Sequence, residues 1–143
     1  MGSRNGRAAA IRSVVRKKAI KTQRELADEL VRLGFDCTQA TVSRDVSSLG
    51  LRKLPGGSYV LAEDLHLQRM LSEFALGVSR SENLVVVRTQ PGTASGVAGA
   101  VDEAELEHVL GSVGGDDTVL IVADATENAE GLRARLAILA GSE

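Results

Sequence analysis

The sequence predicts an α+β chain of two domains. A winged helix-turn-helix is expected over residues 1–62, and an α/β sandwich, with helices on one face of an antiparallel sheet, over residues 67–143. Three observations lead there. The charge inverts along the chain: residues 1–62 hold 12 Lys/Arg against 5 Asp/Glu, net +7, and residues 63–143 hold 5 against 14, net −9. The basic part carries three amphipathic helical patterns followed by a short hairpin. In the acidic part, strand-like runs alternate with helical ones, the mark of helices layered on a sheet. Such asymmetry within 143 residues suits two small domains with different partners.

The first helix is expected over Arg7 to Lys18, with Ala8, Ile11, Val14 and Val15 on one face. Thr22 offers an N-cap to the second, and Glu25 three residues on completes a capping-box spacing. Leu26, Leu30 and Leu33 mark its buried stripe, and Gly34 ends it as a left-handed C-cap residue. Thr38 caps a third helix running from about Gln39 to Leu49, with Ala40, Val42, Val46 and Leu49 as its apolar face and Gly50 as its stop. Leu51 to Leu54 and Ser58 to Leu61 read as strands around the Pro55-Gly56-Gly57 turn. The linker is placed at residues 63–66, where the apolar pattern thins and the charge changes sign.

Beyond it, Leu67 to Leu71 reads as a helix, and Phe74 to Ser79 and Leu84 to Thr89 as strands joined by a Ser81-Glu82-Asn83 turn. The continuous apolar run from Leu84 to Val87, β-branched from Val85 on, marks a central strand. Pro91-Gly92 breaks the chain before a small-residue helix, Thr93 to Glu103. Val109 to Val113 and Thr118 to Ala123 flank Gly114-Gly115-Asp116-Asp117, and Thr126 caps a last helix with Leu132, Leu136 and Leu139 on its buried face.

Composition excludes several classes. Apolar residues make up 43% and aromatics 2%, so the cores rest on aliphatic side chains. No apolar run approaches the ~20 residues that span a bilayer. Met1 to Arg7 lacks the pattern of a secretory signal, so a cytoplasmic location is expected. The lone Cys37 is expected to be a small packing residue. With one Cys and two His, no metal site is expected. His66 and His108 read as structural, and Ser95 and Ser112 have no base beside them in sequence, so no catalytic residues and no enzyme activity are expected.

The third helix is the candidate DNA-reading element, because the second helix of a helix-turn-helix motif enters the major groove. Gln39 suits adenine, Arg44 guanine and the Thr41 methyl thymine, while Ser43 and Thr22 suit phosphate oxygens. Lys21, Arg52 and Lys53 are placed to hold the backbone, and the net +7 charge supplies affinity for a polyanion. In the acidic part, two adjacent carboxylates after paired glycines suit a metal, a guanidinium or an ammonium group. The alternative is a β-turn in which the Asp side chains bond the local backbone.

Thr22-Gln23-Arg24-Glu25-Leu26, Thr38-Gln39-Ala40-Thr41-Val42-Ser43-Arg44-Asp45-Val46 and Leu49-Gly50-Leu51 closely resemble the DNA-binding domain of bacterial arginine repressors. Asn83 to Thr89, Pro91-Gly92-Thr93-Ala94 and Leu110 to Thr118 resemble that family's oligomerisation and ligand domain. The resemblance implies a homohexamer, a dimer of trimers, that binds palindromic operator DNA near arginine-metabolism genes with L-arginine as corepressor. It implies that Asp116 and Asp117 hold arginine across the trimer interface and that Asp102 is a further contacting acid. The family's longer polar residue, Thr and Ala at three pocket positions are here Ser95, Ser112 and Gly114. That departure leaves open an arginine-insensitive paralogue acting as an architectural or accessory DNA-binding protein.

Overall fold

The computed structural model describes residues 4–141. The chain divides into two compact units, Met1–Ala62 and Glu63–Glu143, each with its own apolar core.

The first unit contains α1 (Arg4–Lys17), α2 (Gln23–Arg32), α3 (Gln39–Ser48) and an antiparallel hairpin of β1 (Leu51–Lys53) and β2 (Tyr59–Leu61). Ile11, Leu26, Leu30, Val42 and Leu61 are fully buried in its core. Local chemistry sets the helix ends. The Thr22 hydroxyl accepts the Glu25 amide at 3.0 Å, and the Thr38 hydroxyl accepts the Thr41 amide at 3.2 Å, each satisfying an amide that the helix leaves orphaned. Gly34, at φ +96°, ends α2: the Phe35 amide reaches the Leu30 carbonyl and the Gly34 amide the Val31 carbonyl, the paired bonds of a Schellman turn. That turn swings Leu33, expected in the buried stripe, out to solvent. Ala40, expected on the apolar face of α3, is also exposed, because the first turn of the helix presents it opposite Val42.

The second unit contains α4 (Ala62–Phe74), β3 (Ala75–Ser81), β4 (Leu84–Thr89), α5 (Ala94–Ala104), β5 (Val109–Gly114), β6 (Thr118–Ala123) and α6 (Thr126–Leu139). The four strands form one antiparallel sheet in the order β3-β4-β6-β5, so β4 is internal, as its apolar run predicts. Val85, Val87, Val119 and Ile121 are buried on one face, with Leu67 and Leu71 of α4, Val97 and Val101 of α5 and Leu132 and Leu136 of α6. The other face keeps Val113 (68% exposed) and Leu120 (41% exposed) in solvent, and the bulged edge of β5 exposes Leu110 (72%).

Three expectations are corrected in this unit. Residues 63–66, expected as a linker, are the first turn of α4. Glu63 and Asp64 suit a helix N-terminus, where acidic side chains meet the positive end of the backbone dipole. Phe74 closes α4 rather than opening β3. Thr126 lies inside α6; the N-cap position is Ala125, and Asp124 instead accepts the Asn128 side-chain amide at 2.8 Å. No helix among the described residues is long and apolar enough to cross a membrane.

Candidate DNA interface and ligand site

On α3, Gln39, Ser43 and Arg44 are exposed: Gln39 and Ser43 lie one turn apart on a flank of the buried face, and Arg44 faces away from Val42. Thr41 is half-buried and its hydroxyl lies 3.0 Å from that of Thr38, so it belongs to the cap as well as to the candidate reading surface. Thr22 likewise sits exposed at the N-terminus of α2, where amide dipoles favour an anion such as phosphate. Lys21 is exposed just before it, and Arg52 and Lys53 are exposed on β1. The Lys53 ammonium lies 5.4 Å from the centroid of the Tyr59 ring across the hairpin, a cation–π contact that steadies the wing.

The residue after Arg44 carries a contact that the sequence does not announce. Asp45 is buried, and its carboxylate accepts two bonds from Arg7 of α1, Nε to Oδ2 at 2.5 Å and Nη2 to Oδ1 at 3.2 Å. The hydrogen bond to Asp45 outweighs partial burial and lifts the Arg7 guanidinium above its ordinary value.

In the second unit the Asp116-Asp117 turn lies against the start of α5. The Asp116 carbonyl accepts the Gly92 and Ala94 amides at 3.0 and 3.3 Å, and the Asp117 carbonyl accepts the Thr89 amide at 2.8 Å. The Gly115 amide donates to the Thr118 carbonyl at 2.9 Å. Backbone bonds therefore hold this turn, and the carboxylates are not spent on local backbone. Asp117 accepts from Thr118 Oγ1 at 3.0 Å through Oδ1 and from Arg88 Nη2 at 3.3 Å through Oδ2, while the Asp116 side chain is exposed. Arg88 is the polar residue that interrupts the apolar pattern of β4; it pairs with Thr118 in register, which brings it beside Asp117.

The remaining predicted residues follow α5 and β5. Ser95 and Asp102 are seven residues apart on α5, hence on one face about 10 Å apart. Ser112 of β5 donates to Asp102 Oδ1 at 2.9 Å and to the Ala98 carbonyl at 3.4 Å. Asp102 also lines an open depression of about 260 Å³ with Glu105, Leu106 and Leu110. Gly114 lies tight under α5: a Cβ there would stand 2.8 Å from the Ala94 carbonyl oxygen and 3.1 Å from the Ala98 Cβ. Gly114 and Asp116 thus both lie against Ala94 at the amino end of α5, where Ser95 follows it as an exposed residue, and Asp102 and Ser112 meet further along the helix. No group of three or more potential metal ligands gathers among the described residues.

Two family models match the chain in succession: "Arginine repressor, DNA binding domain" over residues 3–67 and "Arginine repressor, C-terminal domain" over residues 71–137. The chain belongs to the arginine repressor family. Its basic unit is the family's DNA-binding domain, and the family is one of transcriptional repressors. The arginine repressor of Pelotomaculum thermopropionicum is 39% identical over 142 residues, covering 92% of this chain and 94% of its own. That of Thermus thermophilus is 43% identical over 143 residues, covering 92% and 87%. That of Halothermothrix orenii is 42% identical over 128 residues, covering 82% and 85%.

Proposed function

We propose that this chain is an L-arginine-responsive transcriptional repressor of arginine-metabolism genes, working in the cytoplasm without catalytic activity. On this reading α3 reads palindromic operator DNA through Gln39, Thr41, Ser43 and Arg44, while Thr22, Arg52 and Lys53 hold phosphates. L-Arginine is the corepressor, held by Asp116 and Asp117 with Asp102, Ser112, Gly114 and Ser95 around it, and the working species is a homohexamer of two trimers. The Arg88–Asp117 contact supports the ligand assignment: the Asp117 carboxylate already accepts a guanidinium N–H at 3.3 Å, and Asp116 beside it is exposed. The exposed Val113 and Leu120 on the uncovered sheet face support assembly through the second unit, since such apolar surface is favourable to bury against further copies.

The test is a titration of a duplex, selected by the protein from a randomised pool, in the absence and presence of L-arginine, with sedimentation under the same conditions. Tighter DNA binding with arginine, by a factor matching ~1–3 kcal/mol of coupling, is expected. The short, exposed Ser95 favours a second reading, an arginine-insensitive accessory DNA-binding protein. Binding to the selected duplex that ignores arginine would establish it in place of the first.

A further inference from the structure

Helix α3 presents few apolar side chains to its own domain. Val42 is fully buried, Val46 and the C-cap residue Leu49 pack partly buried against the same core, and the rest of the helix is polar or small. Such a narrow stripe resists separation of the helix from the core better than rotation about its axis. Side-chain tips sit about 5–6 Å from a helix axis, so a turn of about 20° moves the tip of a side chain by about 2 Å. That displacement is enough to break a hydrogen bond.

Asp45 lies on the flank of the buried face, one residue after Arg44. It is held by two N–H groups of a single planar guanidinium on a different helix, 38 residues away in sequence. A two-point bond to a planar fork fixes orientation as well as distance, and the pair is largely buried, with side chains 17% and 12% exposed. Buried ion pairs of this kind add little net stability over apolar packing, and their best-attested use is to specify geometry. The pair also neutralises a carboxylate that would otherwise stand, as bare negative charge, beside the residues meant for a polyanion.

From this we infer that Arg7 and Asp45 are positioning residues for DNA recognition: the fork on α1 sets the rotation of α3 and so aims Arg44 and Ser43 at base edges. The inference rests on the reading of α3 as the element that enters the groove. It assigns to the pair sequence discrimination rather than overall affinity, because the phosphate-binding Lys and Arg of the domain do not depend on it.

The experiment compares binding of the full chain to the duplex it selects from a randomised pool and to a scrambled duplex of the same length, across a salt series. The variants are Arg7→Leu/Asp45→Leu, Arg7→Lys and Arg44→Ala, each checked by thermal melting. The double variant removes both charges together. It is expected to melt near the wild-type temperature, to bind scrambled DNA with an unchanged salt slope, and to lose about tenfold in preference for the selected duplex, the worth of one bidentate base contact. Arg7→Lys keeps the charge and abolishes the fork, and is expected to lose preference likewise; it carries the test alone if the double variant does not fold. Preference within twofold of wild type in the folded variant overturns the positioning role while Arg44→Ala still abolishes discrimination. If Arg44→Ala also keeps the preference, α3 is not the reading helix and the proposal falls with that reading.

Discussion

Replacing Asp117 with Asn removes one negative charge from the candidate ligand site while keeping its shape, and the structure sets the size of the effect. A hydrogen bond between charged partners contributes about 1.5–3 kcal/mol. The Asp117 side chain is 46% exposed, so solvent screening brings this to about 1–2 kcal/mol for a bound guanidinium. Arg88, 60% exposed, already occupies one carboxylate oxygen in the free protein, and an incoming ligand must displace it. A surface pair of that kind is worth about 0.5 kcal/mol, which Asp117→Asn no longer costs the ligand. The net loss in L-arginine affinity is therefore about 0.5–1.5 kcal/mol, roughly 2- to 13-fold. A sharper quantity is the ratio of L-arginine to L-citrulline affinity. Citrulline replaces the guanidinium by a neutral urea of the same shape, and both ligands displace Arg88, so that contribution cancels. The urea N–H also bonds a charged acceptor, so the ratio should fall by at most about 1–2 kcal/mol, an upper bound of roughly 5- to 30-fold. Titration calorimetry with each amino acid measures it, and the variant's arginine affinity should also respond less to added salt. A ratio unchanged within twofold, in a variant that melts like the wild type, would refute the assignment of Asp117 to the guanidinium.

Leu120→Glu puts a charge in the middle of the uncovered sheet face, so sedimentation at micromolar concentration should give a smaller species with unchanged secondary structure; an intact assembly would move the interface elsewhere. Gly114→Ala places a methyl 2.8 Å from the Ala94 carbonyl oxygen and should lower stability in urea by about 1–3 kcal/mol, weakening arginine binding as α5 shifts; equal midpoints would show that α5 yields freely. The Asn128 hydrogen bond, and after it that of His108, holds Asp124 below its ordinary pKa. Its stabilisation is thus present above the unfolded carboxylate value, roughly pH 4, and is lost as pH falls through the lower folded value. Asn128→Ala should therefore melt earlier than the wild type at pH 6, and the gap should narrow as pH falls below about 4; a gap that stays constant as pH falls would discount the linkage. Finally, if arginine tightens DNA binding by some factor, the selected duplex must tighten arginine binding by the same factor, and calorimetry with and without the duplex checks that equality.

What the sequence made legible were features encoded within a turn or two of chain. Thr22 with Glu25, and Thr38 before an apolar stripe, announced helix starts because capping chemistry is local. The run Leu84 to Val87 announced an internal strand because only a strand covered on both flanks keeps such a sequence. The start of α4 is not legible locally, because Glu63, Asp64 and His66 have linker composition, although Leu67, Met70, Leu71 and Phe74 follow at helical spacing. Of the candidate site, the Asp116-Asp117 turn was visible from its glycines and charge. Its neighbour Arg88, 29 residues away, was not, because only the β4–β6 register brings the two together. Arg7 and Asp45, 38 residues apart, were hidden for the same reason: ion pairs across a fold leave no periodic trace. The tight fit of Gly114 under α5 depends on how closely a helix approaches a strand, which spacing alone does not encode.

The division of charge bears on how the two units would work as one switch. A single domain of net +7 binds DNA through counterion release, a grip that weakens steeply with salt and carries little sequence preference. The unit of net −9 attached to it opposes DNA, and opposes other copies of itself. On the proposed reading, bringing copies together through the sheet face would bury Val113 and Leu120 but would concentrate acidic side chains such as Asp116 and Asp117. A ligand carrying net positive charge, held by those carboxylates, relieves that repulsion where assembly creates it. On the proposed reading L-arginine then changes nothing in the contact between α3 and a base. It changes how many basic domains act on one duplex, and tethering converts the second and later contacts into intramolecular ones at high effective concentration. Discrimination would reside in the aim of α3, set by Arg7 and Asp45, and responsiveness in the acidic turn at Asp116 and Asp117. The two properties should therefore be separable by mutation.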